Sequence, residues 1–131
     1  MTTVTTQVQL NLFCANVEAC LAFYTRLGMA EAFRAPTNGP IEHVEVEAAG
    51  IRIGLTSAQV ANALVGLGVG TQSSPSTELV LWCEDADAYY EQAMAAGAAN
   101  VVGPMDSPDG RLRFAWVRDP DHHQIKFVQK R

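Results

Sequence analysis

Several features that often point to function are scarce in this chain. The three cysteines, Cys14, Cys20 and Cys83, are odd in number and have no C-x-x-C spacing, so we expect small buried side chains and neither a disulfide nor a zinc site. No apolar run reaches the ~20 residues of a membrane span, and the N-terminus lacks the basic flank and apolar stretch of a secretory signal. We therefore expect a cytoplasmic protein with no membrane partner.

Basic residues are too few to favour nucleic acid as a partner. The chain has 9 Lys and Arg against 14 Asp and Glu, a formal net charge of −5, so a cationic or neutral small molecule is easier to accommodate. No serine or cysteine lies beside a plausible base, which leaves nucleophilic catalysis without support. The glycine-rich segment 66–70 resembles half of a nucleotide fingerprint, but it neither follows a clear strand nor opens a helix, which favours a flexible linker or lid.

The chain does contain an internal repeat. Segment 10–16, LNLFCAN, matches segment 79–85, LVLWCED, and a glycine follows each segment after 12 residues, Gly28 and Gly97 respectively. Both pairs are offset by 69 residues. One βα unit in each half indicates an internal duplication, whose copies pack around a pseudo-twofold axis with a cleft between them.

Periodicity predicts a single α+β domain over 1–131 made of two βαβββ modules. Asn16 and Asp85 are predicted helix N-caps, and Gly28 and Gly97 are predicted helix stops. Module one spans about 7–56, a linker that begins with a short helix spans about 57–77, and module two spans about 78–131. The predicted elements are strand 8–14, helix 17–27 and strands near 30–35, 42–48 and 51–56, then strand 78–84, helix 86–96 and strands near 99–104, 111–118 and 123–129.

Two motifs resemble the vicinal oxygen chelate superfamily, the group of glyoxalases, extradiol dioxygenases and bleomycin-resistance proteins. The first runs from Asn16 to Gly28 and contains Phe23-Tyr24, and the second is the RDPD sequence of 118–121 before the final strand. The resemblance covers nearly the whole chain, and the repeated βαβββ order agrees with it. It implies two curved mixed sheets, each with a helix on its convex face, that line a cavity and often pair in a homodimer.

The resemblance also implies where a divalent metal would be held in metal-binding members. Their His on the first strand corresponds to Gln9, its counterpart in module two to Glu78, the Glu of the last strand to Lys126, and a further Glu of module one to Gly54. A charged lysine has no lone pair, and Gln9 and Glu78 alone are too few ligands. We therefore expect no metal and no cofactor, and Glu78 can pair with Lys126 in the metal's place.

Aromatic residues share strand faces with these positions. Alternation places Phe13 on the face of Gln9 and Asn11, and Trp82 on the face of Glu78. Phe114 and Trp116 share a face, which we assign to the cleft. Four aromatic side chains around one cavity suit stacking on a planar or conjugated ligand, although each could instead fill the core or a dimer interface. The predicted ligand-binding residues are Gln9, Asn11, Phe13, Glu78, Trp82, Phe114, Trp116 and Lys126.

The three histidines do not indicate a shared metal ion. His122 and His123 are adjacent, so in a strand their side chains point to opposite faces, and His122 occupies a turn position that suits a positive φ. His43 alternates with Glu45 and Glu47, which predicts a solvated strand face.

The sequence thus predicts a metal-independent protein of the bleomycin-resistance type, with no catalytic residue. It would confer resistance by sequestering an antibiotic or related natural product in two cavities of a homodimer, without altering it. The alternative is a superfamily enzyme, a lyase, isomerase or oxidoreductase such as a dioxygenase, with an atypical metal site. A third hypothesis is a subunit that has no ligand of its own.

Overall fold

The computed structural model describes residues 3–70 and 74–131 and has an α+β fold of two βαβββ modules joined by a short helix. No helix in this described part of the chain is long and apolar enough to span a bilayer. The elements are β1 (Leu10–Cys14), α1 (Val17–Arg26), β2 (Ala30–Ala35), β3 (His43–Ala48), β4 (Ile51–Ser57), α2 (Ala58–Val65), β5 (Glu78–Trp82), α3 (Ala86–Ala95), β6 (Ala99–Asp106), β7 (Leu112–Arg118) and β8 (Gln124–Lys130).

Each module forms a four-stranded mixed sheet of its own. The strand order is β1-β4-β3-β2 in module one and β5-β8-β7-β6 in module two. The pairs β1–β4 and β5–β8 are parallel, and the other neighbours are antiparallel. Helix α1 packs on β3 and β4, and α3 packs on β6, β7 and β8. Each sheet therefore has one face under a helix, and the fold class predicted from the sequence is confirmed.

The sequence repeat is also a structural repeat. Helices α1 and α3 begin and end at positions that differ by the same 69 residues. The side chains of Asn16 and Asp85 cap them by accepting hydrogen bonds from the backbone N–H of Ala19 and Ala88, each at 3.0 Å. These caps satisfy backbone donors that have no partner within the helix. The predicted N-caps are therefore confirmed in both modules.

Strand alternation directs one side of each sheet into a core that both modules share. Leu12 and Cys14 of β1 are buried, the cysteine as predicted, whereas Val8 lies before β1 and is 84% exposed. The partner strand β4 begins to pair only at Leu10, which stands opposite Ile53. The largest fully buried side chains come from both modules and include Tyr24, Phe23, Phe127, Leu55 and Ile125.

Three tight turns have the backbone geometry that their residues favour. Ala49 and Gly50 have positive φ angles of 52° and 79°, as a two-residue type I′ hairpin requires. His122 has a φ of 70°, which confirms the turn position predicted for it. In the β6–β7 hairpin the backbone N–H of Gly110 donates to the carbonyl of Ser107 at 2.9 Å.

A buried polar network joins the two modules. Asp119, only 2% exposed, accepts hydrogen bonds from the Tyr24 hydroxyl and from His123 Nδ1, both at 2.7 Å. His123 Nε2 donates to the Phe13 carbonyl at 2.9 Å. Because a carbonyl and a carboxylate can only accept here, both ring nitrogens carry a proton. This junction network holds α1 and β1 of module one against the turn before β8.

The charge on His123 follows from this geometry. Burial opposes the charged ring, but hydrogen bonds to Asp119 and Cys20 raise the pKa of His123 to about 10. The sequence predicted only that the His123 side chain points away from that of His122. The fold instead uses it as a positive charge that connects Asp119 of module two to the backbone of module one.

Candidate functional site

The side of the second sheet turned away from α3 is the first candidate binding surface. The strand register places alternate residues of β5, β7 and β8, with neighbours from β6, on this side, while their intervening residues enter the core. We term this surface the aromatic face. Its residues are Glu78, Val80, Trp82, Val102, Met105, Phe114, Trp116, Gln124, Lys126 and Lys130.

Glu78 orients an indole ring on the aromatic face. Its Oε1 accepts hydrogen bonds from Trp116 Nε1 at 2.7 Å and from Gln124 Nε2 at 3.2 Å. The ion pair with Lys126 that the sequence suggested is not among the ion pairs of residues 3–70 and 74–131. Glu78 therefore holds the plane of Trp116, and Lys126 contacts other groups.

Lysine ammonium groups lie over the rings. Lys126 Nζ is 5.2 Å from the centroid of Phe114 and 5.3 Å from that of Trp116, whose rings are themselves 4.7 Å apart. Lys130 Nζ is 5.8 Å from the centroid of Trp82. A cation within about 6 Å of a ring face is attracted by the ring's quadrupole. The aromatic face thus presents stacked rings and positively charged donors together.

Part of this face is open to solvent. Trp82 is 60% exposed and Val80 is 41% exposed. An open recess of about 500 Å³ is lined by Trp82, Cys83, Glu84 and Lys130. Exposed apolar side chains that lie together mark binding surfaces.

The matching side of the first sheet is polar. His43 Nδ1 is 2.8 Å from Thr56 Oγ1, and His43 Nε2 is 2.8 Å from Glu45 Oε2. Glu45 also accepts from Gln9 Nε2 at 3.3 Å and from Arg52 Nη1 at 3.2 Å. The hydrogen bond with His43 contributes most to holding the pKa of Glu45 below its usual value, and the hydrogen bonds from Gln9 and Arg52 act in the same direction. We term this surface the polar face: Gln9, Asn11, Phe13, His43, Glu45, Arg52, Gly54 and Thr56.

Three side chains meet above the backbone of Gly54. A Cβ atom at this position would overlap Asn11 Oδ1, and it would lie 2.8 Å from His43 Cε1 and 2.9 Å from Gln9 Nε2. A side chain at position 54 would therefore displace neighbours from three strand positions. A glutamate there, as the resemblance would place it, would require the Asn11, His43 and Gln9 side chains to move.

Within one chain the predicted site residues fall into separate groups. Gln9 donates to Asn11 at 2.9 Å on the polar face. Phe13 lines a cavity of about 180 Å³ together with residues of the turn before β8. No hydrogen bond, ion pair or ring contact recorded for residues 3–70 and 74–131 joins the polar face to the aromatic face. Glu78, Phe114, Trp116 and Lys126 form one cluster, and Trp82 lies beside Lys130.

The residues at the four metal positions do not fit a divalent ion. Lys126 offers no lone pair while charged, and Gly54 has no side chain to supply a ligand. Among the four positions, Gln9 Oε1 and the Glu78 carboxylate are left as ligand groups, and Glu78 Oε1 already accepts two hydrogen bonds. A structural or catalytic ion needs at least three donor groups arranged around it.

A second group of ligand-type atoms lies in the core. Cys14, Cys20 and His123 place one such atom each within 4.8 Å of one another. The hydrogen bond with Cys14 and burial raise the pKa of the Cys20 thiol, and Cys20 Sγ lies 3.2 Å from Asp121 Oδ2. His123 has no free lone pair, because both of its nitrogens donate hydrogen bonds. This geometry suits packing at the module junction better than metal ligation.

Sequence reasoning missed three residues of these faces. His43 and Glu45 were predicted to be solvated, yet their side chains are only 23% and 14% exposed and hydrogen-bond each other. Lys130 was not among the predicted site residues, although it lies four residues after Lys126 and so must share its strand face. Strand parity could have found Lys130. His43 contacts Thr56 because the register of β3 against β4 places them opposite each other. The alternation of side chains along one strand does not reveal this register.

The comparisons with known proteins agree with this architecture. The sequence profile of the Glyoxalase/Bleomycin resistance protein/Dioxygenase superfamily matches residues 6–127. The chain belongs to this superfamily. No curated protein sequence matches it. The family resemblance found in the Asn16–Gly28 and 118–121 motifs is therefore confirmed, while the subtype within the superfamily is a separate question.

Solved structures of several other proteins share the fold. Hypothetical protein SA1046 from S. aureus has a TM-score of 0.80 at 19% identity, over 97% of this chain and 95% of that one. TioX from Micromonospora sp. ML1 has a TM-score of 0.73 at 22% identity, over 97% and 100%. A fosfomycin resistance protein, FosX from Listeria monocytogenes, solved with Mn(II) and a dihydroxypropylphosphonic acid, has a TM-score of 0.73 at 13% identity, over 98% and 93%. At these identities the likeness establishes the fold alone.

Proposed function

We propose that this protein binds a planar small molecule, such as an antibiotic or related natural product, and confers resistance by sequestering it without metal-dependent chemistry. One observation carries the proposal. At the superfamily's metal position on the last strand, Lys126 lies over the rings of Phe114 and Trp116. A site built in this way can stack on a ligand but cannot hold an ion. The superfamily includes bleomycin resistance proteins, and FosX is a fosfomycin resistance protein.

Stacking is the main source of affinity in this proposal. Trp82 and Trp116 present large aromatic surfaces, and Glu78 fixes the plane of Trp116 before any ligand arrives. Pre-ordered rings lose less conformational entropy on binding. Three free cysteines suit a reducing compartment, so we place this activity in the cytoplasm.

We further propose that two copies pair as a homodimer, so that the polar face of one copy closes over the aromatic face of its partner. Val80, Val102 and Met105 of the aromatic face are each about 40% exposed, and such patches mark interaction surfaces. Closure would add the Gln9, Asn11 and His43 side chains as polar contacts to a ligand held by the rings. A sedimentation experiment that finds a monomer with full ligand affinity would contradict the pairing.

One observation favours the alternative, a superfamily enzyme with an atypical metal site. His43 and Glu45 are ligand-type side chains that lie next to Gln9 on the polar face. A metal held there would need Glu45 to give up its bonds to His43 and Arg52. Metal content therefore separates the two functions.

The tryptophans test the proposed binding surface. Anthraquinone-2-carboxamide, a planar uncharged probe, is expected to quench their fluorescence, because the chain has only two tryptophans and both belong to the aromatic face. Trp82→Ala and Trp116→Ala should each weaken its binding by about 1–3 kcal/mol, or about 5- to 150-fold. Fluorescence titration measures the affinity, and mass spectrometry of the released probe should show it unchanged.

The melting temperature of each variant is the control for this test. Loss of a tryptophan that mainly fills the core would cost about 3–5 kcal/mol of stability, with or without the probe. Trp82 is 60% exposed, so its variant should melt close to the parent protein. Unchanged affinity in both folded variants would contradict the assignment of the aromatic face as the binding surface.

The metal content of the purified protein tests whether the residues around Lys126 can bind a divalent ion. The purified protein is expected to carry less than about 0.1 equivalent of any divalent metal, because too few donors converge at Lys126. Lys126→Glu should raise this uptake, since it removes a fixed positive charge and supplies a carboxylate on the face of Glu78. Lys130→Glu makes the same charge change elsewhere on the aromatic face and should have a smaller effect. Stoichiometric metal that survives dialysis of the unmodified protein, measured by elemental analysis, would favour the enzyme.

A further inference from the structure

We infer that the aromatic face selects planar ligands that carry an acidic group, such as a carboxylate or an ionised phenol. The inference rests on the proposed binding function and names the ligand class of the same surface.

Both lysines of the chain lie on this one face. The sequence contains lysine only at positions 126 and 130, four residues apart on β8. Each ammonium group lies within 6 Å of a ring that a planar ligand would stack on: Lys126 over Phe114 and Trp116, and Lys130 over Trp82. A ligand that contacts these rings therefore lies close to ammonium N–H donors.

One carboxylate oxygen on the same face already has two partners. Glu78 Oε1 accepts from both Trp116 and Gln124, so a cationic ligand would compete with these hydrogen bonds for that oxygen. An ammonium over a ring, by contrast, keeps donors free, because the ring face takes up no conventional hydrogen bond. A charge-assisted hydrogen bond to an anionic oxygen is about twice as strong as a neutral one. The face is thus better suited to an acid than to a base.

This reverses the expectation drawn from net charge. A charge of −5 over the whole chain suggested a cationic or neutral ligand. Local charge determines what binds at a contact distance, because charges farther away than about 10 Å are largely screened at ordinary ionic strength. Glu84 also lines the Trp82 recess, and it should weaken the binding of an acid there.

A matched pair of probes tests the inference. Anthraquinone-2-carboxylate and anthraquinone-2-carboxamide have the same planar rings and nearly the same shape, but only the first is charged. The acid is expected to bind the unmodified protein about tenfold more tightly than the amide, as one charge-assisted hydrogen bond would provide. Calorimetric titration gives both affinities, and the difference should shrink as salt is raised.

Charge variants locate the effect. The double variant Lys126→Met, Lys130→Met should bring the affinities for the acid and the amide close together. Glu84→Gln should increase the preference for the acid. Arg26→Met removes one positive charge from an exposed position on α1, on the helix side of module one, and should leave the preference unchanged.

The outcomes separate this inference from the proposed function. Equal binding of acid and amide, with both quenching tryptophan fluorescence, would overturn the acidic ligand class and leave the binding function standing. The same preference for the acid in the double lysine variant would also overturn the inference. Failure of both probes to bind would overturn the inference and the proposed planar-ligand function together.

Discussion

Asp119→Ala is expected to destabilise the folded chain by about 3–5 kcal/mol, the cost of breaking a buried charged pair by removing one partner. Asp119 is 2% exposed. Its two oxygens accept from the Tyr24 hydroxyl, from His123 Nδ1 and from the backbone N–H groups of Asp121 and His123. The substitution would leave a buried hydroxyl and a positive imidazole ring without their acceptor. Denaturant titration measures the change in the free energy of unfolding.

Two further variants separate the charge of Asp119 from its size. Asp119→Asn keeps the shape and one acceptor oxygen, so it should lose part of the stability but less than the alanine variant. Glu84→Ala removes an exposed carboxylate from the same module and should change stability by no more than about 0.5 kcal/mol. If Asp119→Ala were as mild as Glu84→Ala, the junction network would not hold the modules together.

The stability of the chain is expected to fall as pH rises from about 6.5 to 8, at up to about 1.4 kcal/mol per pH unit. The pKa of His123 is raised from its ordinary value of 6.5 to about 10 by its hydrogen bonds to Asp119 and Cys20, which outweigh the opposing effect of burial. The folded chain therefore keeps a proton that the unfolded chain releases. The stabilisation is complete below about pH 6.5 and is lost progressively as pH rises through about 10.

Denaturant titrations of the unmodified chain and of His123→Gln measure this dependence. The comparison is best made between pH 6 and 8, because the raised pKa values of the Cys20 thiol and the Tyr24 hydroxyl add losses of the same sign in more alkaline solution. The glutamine variant should be less stable at pH 6 and should show a flatter profile. Parallel profiles for the two proteins would mean that His123 is not charged in the folded state.

Much of the fold could be predicted from local patterns. Helix α1, for example, is marked by Asn16 before it and by Gly28 after it, and the same marks recur 69 residues later around α3. Alternation also places Leu12 and Cys14 on one side of β1, and both are buried. These features depend on residues that are close in sequence, because backbone geometry alone fixes how often side chains return to the same face of a helix or strand.

The partners of the candidate site residues could not be predicted in the same way. Parity placed Glu78 and Lys126 on the same face, but it could not show that Glu78 bonds to Trp116 while Lys126 lies over two rings. Those contacts depend on the register of β7 against β8 and of β5 against β8. Register between strands is a long-range property, and a shift by one residue would send every side chain to the other face.

The sequence by itself therefore determined the two-module architecture, the helix caps and the absence of a convincing set of metal ligands at Gln9, Gly54, Glu78 and Lys126. Tertiary structure alone decided that Gly54 gives room to Asn11, Gln9 and His43, and that His123 is a buried charge at the module junction. It also decided that both lysines lie over aromatic rings. The physical reason is that composition and spacing record which side chains are present, whereas charge and hydrogen bonding act over a few ångströms between residues that only folding brings together.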